Sequence, residues 1–295
     1  AMTMAGSRVE DIPADQFNHC VVAIKRDDGS FRMIDPTWAP YAMATWSHAE
    51  ANQHYVIGSP EGEERMAIQH WDAEDNKTMV DLKGAIDKNG TLTGAITIQG
   101  TGYGDTRLRR GIAYYPVEYR DAQFADWLSN FADNFEISGV SSTDIDDLYK
   151  PYILTIKFTA PGYALAAGEQ MLFSPVVSNL IKAHPRTFDF VYEYSGRDER
   201  ENPLLVWNTR NCILTESIKL PSGFKIANAP EAEEQGGEWA GCKTEVNQEG
   251  TTLTTKIDYR VNQRSIPAKY YDEVKGAYDA VMDFSDKTWL VKKGS

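Results

Sequence analysis

The chain lacks any apolar run approaching the ~18 residues that cross a bilayer as a helix, and its mean hydropathy is −0.46. It is poor in cations. Among 295 residues, 30 Lys and Arg face 43 Asp and Glu, a net charge of −13. Phosphate backbones and anionic lipid surfaces are bound by clustered cations, so nucleic acid and an anionic membrane are excluded as main partners. Cysteine is scarce too. Cys20, Cys212 and Cys242 are too few for a disulfide framework, although one bridge, Cys212 to Cys242, can be drawn. No CxxC or His/Cys spacing fits a structural zinc site. Fixed-period repeats and low-complexity tracts are absent. Ala1 to Glu10 has neither the basic nor the apolar region of a secretory signal, which by itself assigns no compartment.

What is present is ordinary globular material, 42% apolar and 25% charged. It is long enough for one large domain or two ordinary ones. The first ~80 residues hold four of the five histidines. The polar tract Glu61 to Lys77 reads as a boundary, and we divide the chain into residues 1–80 and 81–295. In the second part strands are predicted over Val80 to Ile86, Thr91 to Gln99, Tyr152 to Phe158, Phe188 to Tyr194, Cys212 to Leu220, Leu253 to Val261 and Thr288 to Lys292. Turn-forming runs such as Asp87-Lys88-Asn89-Gly90 and Pro221-Ser222-Gly223 separate some of them. Helical spacing of Phe124, Trp127, Leu128 and Phe131 predicts a helix over 121–135. Pro267, a good first helical residue, opens another over 267–282. The expected class is α+β, mainly β: a β-sandwich-like domain with helices at its edge.

Several tracts mimic ligand sites and fail on detail. Gly100 to Asp105 resembles a phosphate loop but lacks the GK[ST] ending, and no apolar helix is predicted after it. Arg107, Arg109 and Arg110 read as a solvated strand edge. Asp87 starts a calcium-loop pattern whose twelfth position is Ile98 instead of glutamate. Asp144, Asp146 and Asp147 read as an acidic turn, and the spacings among His48, His54 and His70 match no ligand pattern. Glu63, Glu64, Glu231, Glu233 and Glu234 read as loop surface. No cofactor and no metal is called for.

The informative stretch is Phe17-Asn18-His19 followed by Ile34-Asp35-Pro36-Thr37-Trp38. Two short strands flank Asp27-Asp28-Gly29. With a three-residue loop, Arg26 faces Ser30 and Asp35 faces Val21, so Asp35 and His19 are diagonal neighbours on one face, ~7–8 Å apart at Cα. A two-residue loop would place them on opposite faces. The pair reads either as a half-exposed strand histidine beside a turn aspartate or as a base and the carboxylate that orients it.

The run FNHCVVAIKRDDGSFRMIDPTW, with MAGSRVEDIP before it, resembles the His and Asp half of the transglutaminase-like superfamily, papain-like Cys-His-Asp enzymes found in bacterial multidomain proteins. The resemblance implies a partial core with an antiparallel sheet in residues 1–80, joined to a β-sandwich-like domain of unknown function in 81–295. It implies that His19 is the general base and Asp35 its orienting carboxylate, with Asn18 and Thr37 as supports and Trp38 shaping the site wall. The family's nucleophilic cysteine stands tens of residues before its histidine. Here no cysteine stands between Ala1 and His19. Cys20 neighbours His19 in the strand and points to the other face. The expectation is therefore a C-terminal part of a longer protein, inactive alone, whose parent performs acyl transfer or amide hydrolysis on a peptide or protein substrate. The alternative is a binding or scaffold protein whose β domain recognises a peptide, glycan or protein partner. The resemblance also implies an extracytoplasmic setting. Substrate and oligomeric state are not specified.

Overall fold

The computed structural model describes residues 17–38, 53–58, 66–68, 71–129, 134–183, 196–206 and 208–294. The chain first forms a hairpin of β1 (Val22–Lys25) and β2 (Phe31–Ile34), then a second small pair, β3 (His54–Tyr55) and β4 (Met66–Ala67). Tyr55 and Ile68 make a small apolar cluster with Val21, Met33 and Ile57.

An eight-stranded sheet follows. It uses β5 (Lys77–Ile86), β6 (Leu92–Gly100), β7 (Glu136–Ser142), β8 (Ile153–Ala160), β12 (Arg210–Lys219), β14 (Glu234–Gly236), β15 (Ala240–Glu249) and β16 (Thr252–Val261), in the order β14-β15-β16-β12-β5-β6-β8-β7. Every pairing is antiparallel except β12 with β5. Because β5 starts at Lys77, the strand crosses the position of the sequence division. A second sheet orders β13 (Phe224–Asn228), β18 (Trp289–Lys293), β10 (Gln170–Phe173) and β9 (Leu165–Ala167). A two-residue pair, β11 (Leu204–Leu205) with β17 (Ser265–Ile266), completes the strands described.

Strict alternation explains the large sheet. Leu82, Ile96, Ile156, Leu214 and Ile257 point to one face and are 0 or 1% exposed. Asp81, Thr97, Thr155, Thr215 and Lys256 take the other parity, across the same row of the ladder. One face is thus apolar and buried, and the other polar and solvated, as suits an antiparallel sheet covered on one side. The cover is helical: α1 (Tyr103–Ala113) lies on β5 and β6, and α3 (Val176–Ala183) on β12, β5 and α4. Helix α4 (Tyr271–Ser285) lies on β14, β15 and β16, while α2 (Arg120–Ser129) packs beside β7. A single core runs through the large sheet, the helices and the four-stranded sheet. Trp289 of β18 is its largest fully buried side chain, ringed by Phe173 and Phe284. The class is α+β, mainly β.

Three expectations are corrected or refined. A helix, α1, does form here, opening at Tyr103 inside the Gly100 to Asp105 run. Its apolar residues are few because two charged residues, Asp105 and Arg109, occupy its buried side. Helix α3 and strands β7, β9, β10, β13, β14 and β15 are not among the predicted elements; β15, AGCKTEVNQE, is too polar to announce itself. The helix predicted over 121–135 is α2, described over Arg120–Ser129; Phe131 and the strand expected over 188–194 lie outside the described residues. The helix predicted over 267–282 is a short 3₁₀ turn and then α4, running to Ser285.

Candidate active site

The site is built by a turn. Asp28 Oδ1 accepts the Ser30 N–H at 2.9 Å and the Ser30 hydroxyl at 2.6 Å, and these bonds hold the Asp28 carboxyl below its usual range. Gly29 takes φ +84°, a left-handed conformation natural to glycine. Arg26 N–H then donates to Ser30 O at 2.8 Å, closing a three-residue loop. The ladder follows in the register that loop requires, Val22 opposite Ile34 and Lys25 opposite Phe31.

One step further, that register sets Val21 against Asp35 and brings His19 diagonally to it. His19 Nε2 lies 2.7 Å from Asp35 Oδ2. The other carboxylate oxygen, Oδ1, accepts the Thr37 N–H at 2.8 Å. Asp35 is 1% exposed, whereas the His19 side chain is 16% exposed. Pro36 opens a 3₁₀ turn to Trp38, which ends the strand and aims the Thr37 N–H back at the carboxylate. A buried carboxylate with both oxygens engaged is a fixed acceptor. It places the proton of a neutral imidazole on Nε2, which makes Nδ1 the basic nitrogen. Such a ring can take a proton at Nδ1 while Asp35 stabilises the resulting imidazolium.

The supports behave differently. Thr37 acts through its main chain, and its side chain is exposed. Asn18 is exposed next to His19. Trp38 belongs to the turn by its backbone, and its side chain lies outside the described residues.

No described thiol reaches this ring in the right way. Cys20 is exposed and takes the parity opposite to His19. Cys212 and Cys242 are buried and not disulfide-bonded, and the Cys242 thiol is pushed up to about 12 by burial first and then by Asp258 and Glu233. The bridge drawn between them does not form. Both are register partners of Tyr259, from opposite sides, so they stand two strands apart, ~9–10 Å by strand spacing. That exceeds the Cα reach of a disulfide.

The mimics resolve structurally. At the start of α1, Asn76 Oδ1 accepts the Tyr103 N–H at 3.0 Å, and the next amides bond to Thr101 and Gly102 carbonyls. Gly104 lies so close to β5 that a Cβ would sit 1.9 Å from Lys77 O. The loop packs; it does not cradle. Arg109, expected on a solvated edge, is 0% exposed. It pairs with Asp105 at 2.7 Å and donates to the carbonyls of Asp144, Ile145, Asp147 and Lys150. Asp105 Oδ1 in turn accepts the Tyr152 N–H at 2.8 Å. The acidic turn 144–150 is therefore held by a guanidinium. Asp87 Oδ1 caps its hairpin turn through the Asn89 and Thr91 amides. Among the described residues no group of three His, Cys, Asp or Glu is placed to hold a metal. His54 pairs with Ala67 in β3–β4; His48, His70, Glu63 and Glu64 lie outside the described residues. Glu231, Glu233 and Glu234 are exposed, and no described helix is long and apolar enough to cross a membrane.

One acidic residue escaped the sequence reading: Glu216, 1% exposed in the middle of β12. Its signal was parity, since it alternates with Leu214 and Ile218 on the face that goes inward.

Comparison with known proteins adds little chemistry. Residues 169–290 match a family described as a domain of unknown function with a solved structure (DUF3858). No curated protein matches the chain. A solved structure from Parabacteroides distasonis ATCC 8503, described as a candidate protease, matches at 11% identity with a TM-score of 0.29. That match covers 32% of this chain and 19% of that protein, so this chain spans a small part of its length.

Proposed function

We propose that His19 and Asp35 are the general base and orienting carboxylate of a thiol-dependent acyl-transfer or amide-hydrolysis site. The observation that carries this reading is the 2.7 Å contact from His19 Nε2 to a buried carboxylate whose second oxygen is held by the Thr37 amide. In the reaction, His19 Nδ1 takes the thiol proton, the thiolate attacks a peptide or side-chain amide carbonyl, and the imidazolium gives the proton to the leaving amine as the C–N bond breaks and a thioester forms; water or an acceptor amine then displaces the sulfur, giving its proton through His19 back to the thiolate. Asn18, Thr37 and Trp38 frame this pair in the proposed site. The thiol comes from polypeptide other than Cys20, Cys212 and Cys242, and the β-rich remainder, 81–295, is a companion domain. The test uses the complete gene product with a peptide amide substrate. Activity should be blocked by iodoacetamide, lost on His19→Ala, and lowered by about 10²- to 10⁴-fold on Asp35→Asn. Undiminished turnover in His19→Ala overturns the proposal.

A second reading rests on the thiols themselves. Two are buried and one is turned away from the ring, so no thiol of this chain is placed to serve as the nucleophile, which favours a binding or scaffold role for its β-rich part. A complete gene product without any further cysteine would decide for that role.

A further inference from the structure

Glu216 sits at the centre of the fold, and nothing in the proposed site uses it. Its ladder partners are Leu82 on β5 and Thr255 on β16, both buried. Its carboxylate accepts the Val177 N–H at 3.0 Å and also the Val176 N–H. These are the first two residues of α3. The helix is therefore capped by a side chain 39 positions away in the chain rather than by its own sequence.

The charges around it are sparse. On the sheet, Asp81, Lys83 and Lys256 take the opposite parity and face solvent. On α3, Lys182 is near the far end and pairs with Asp286, just past α4, at 3.6 Å. Beside the small sheet stands Tyr163. Its hydroxyl donates to Ser174 O, and it is held well above its usual range by burial first and then by Glu216. Among the described residues no cation contacts Glu216. Burial therefore outweighs the two amide bonds and lifts its carboxyl to about 7. At the third position of α3, Ser178 buries a hydroxyl that has no hydrogen-bond partner among the described residues, so this interface already holds uncompensated polarity.

We propose that Glu216 is a proton-operated latch on α3: protonated it fastens the helix to β12, and ionised it frees the helix start. The charged form needs more solvation than two amides give, and water reaches it only if the start of α3 moves aside. The proton leaves to solvent. Because α3 follows β10 of the small sheet and rests on β12 and α4, release loosens the joint between the two sheets.

Hydrogen exchange of the α3 amides tests this on the whole chain across neutral pH, from mildly acidic to mildly alkaline, corrected for intrinsic rates. Protection at Val177 and the following residues should fall at least tenfold, with a midpoint at the titration of Glu216, while β16 amides stay protected. In Glu216→Gln the fall should vanish. Unchanged protection in the wild type, or the same fall in Glu216→Gln, overturns the latch. If that variant fails to fold, carbon-13 labelling of the glutamate carboxyls decides: ionisation of Glu216 with no change in the Val177 amide shift also overturns it.

Discussion

Asp35 and Glu216 are equally buried, each 1% exposed, and each accepts backbone N–H bonds, yet they live in opposite electrostatic settings. Asp35 lies in a local hairpin, sixteen residues from an imidazole that can carry a positive charge toward it. Glu216 lies in the large sheet and, among the described residues, is met by amide dipoles from α3 and by no cation. Asp105 stands at the other extreme, with the buried Arg109 guanidinium at 2.7 Å and the Tyr152 amide. The comparison teaches that burial alone does not make a carboxylate reactive or unstable; what matters is whether the partner can supply full charge, transferable charge or only a dipole.

The largest test of that ordering is Arg109→Met. It strands a buried Asp105 and deprives four carbonyls of a donor, so we expect a loss of about 3–5 kcal/mol by denaturant unfolding. Arg109→Lys should recover only part of this, since one ammonium cannot span the fork. The next is pH. The Glu216 carboxyl is raised from 4.5 to about 7 on folding. Its contribution to stability is fully present below the unfolded value and is lost as pH rises toward the folded one, on the order of 3 kcal/mol in total. Glu216→Gln should flatten that part of the stability-against-pH curve, and a rise in wild-type stability over the same window from this group would contradict the setting described. Smaller is Asp35→Ala, which leaves the Thr37 amide and the His19 ring without their acceptor, an expected cost of about 1–3 kcal/mol. Nitrogen-15 spectra of the His19 ring should at the same time lose the dominance of the Nε2–H tautomer. Smallest is Gly29→Ala, with an expected cost of about 1 kcal/mol. Alanine resists the φ of +84° that Gly29 adopts. The effect should appear in the hairpin amides and leave α3 exchange unchanged.

These differences also show where sequence reading reaches. The His19–Asp35 contact was legible because a hairpin is local: the count of loop residues fixes the register, and the register fixes which side chains meet. The paired strands β5, β6, β8, β12 and β16 were legible by alternation. Strand β15 was not, since a polar strand lying among partners owes its place to them. The α1 helix was hidden because its buried side carries an ion pair, and ionic residues read as surface until their partners are known. The drawn Cys212–Cys242 bridge failed for the same reason, as only the order β15-β16-β12 shows Tyr259 standing between the thiols.

The amino-acid sequence by itself thus determined the hairpin, its histidine–aspartate pair, the strand-dominated class and the acidic balance, because these follow from composition and from contacts a few residues apart. Tertiary structure alone decided that Arg109 holds the 144–150 turn and that Glu216 closes a helix 39 residues away. A buried charge is defined by what surrounds it, and those surroundings come from distant parts of the chain.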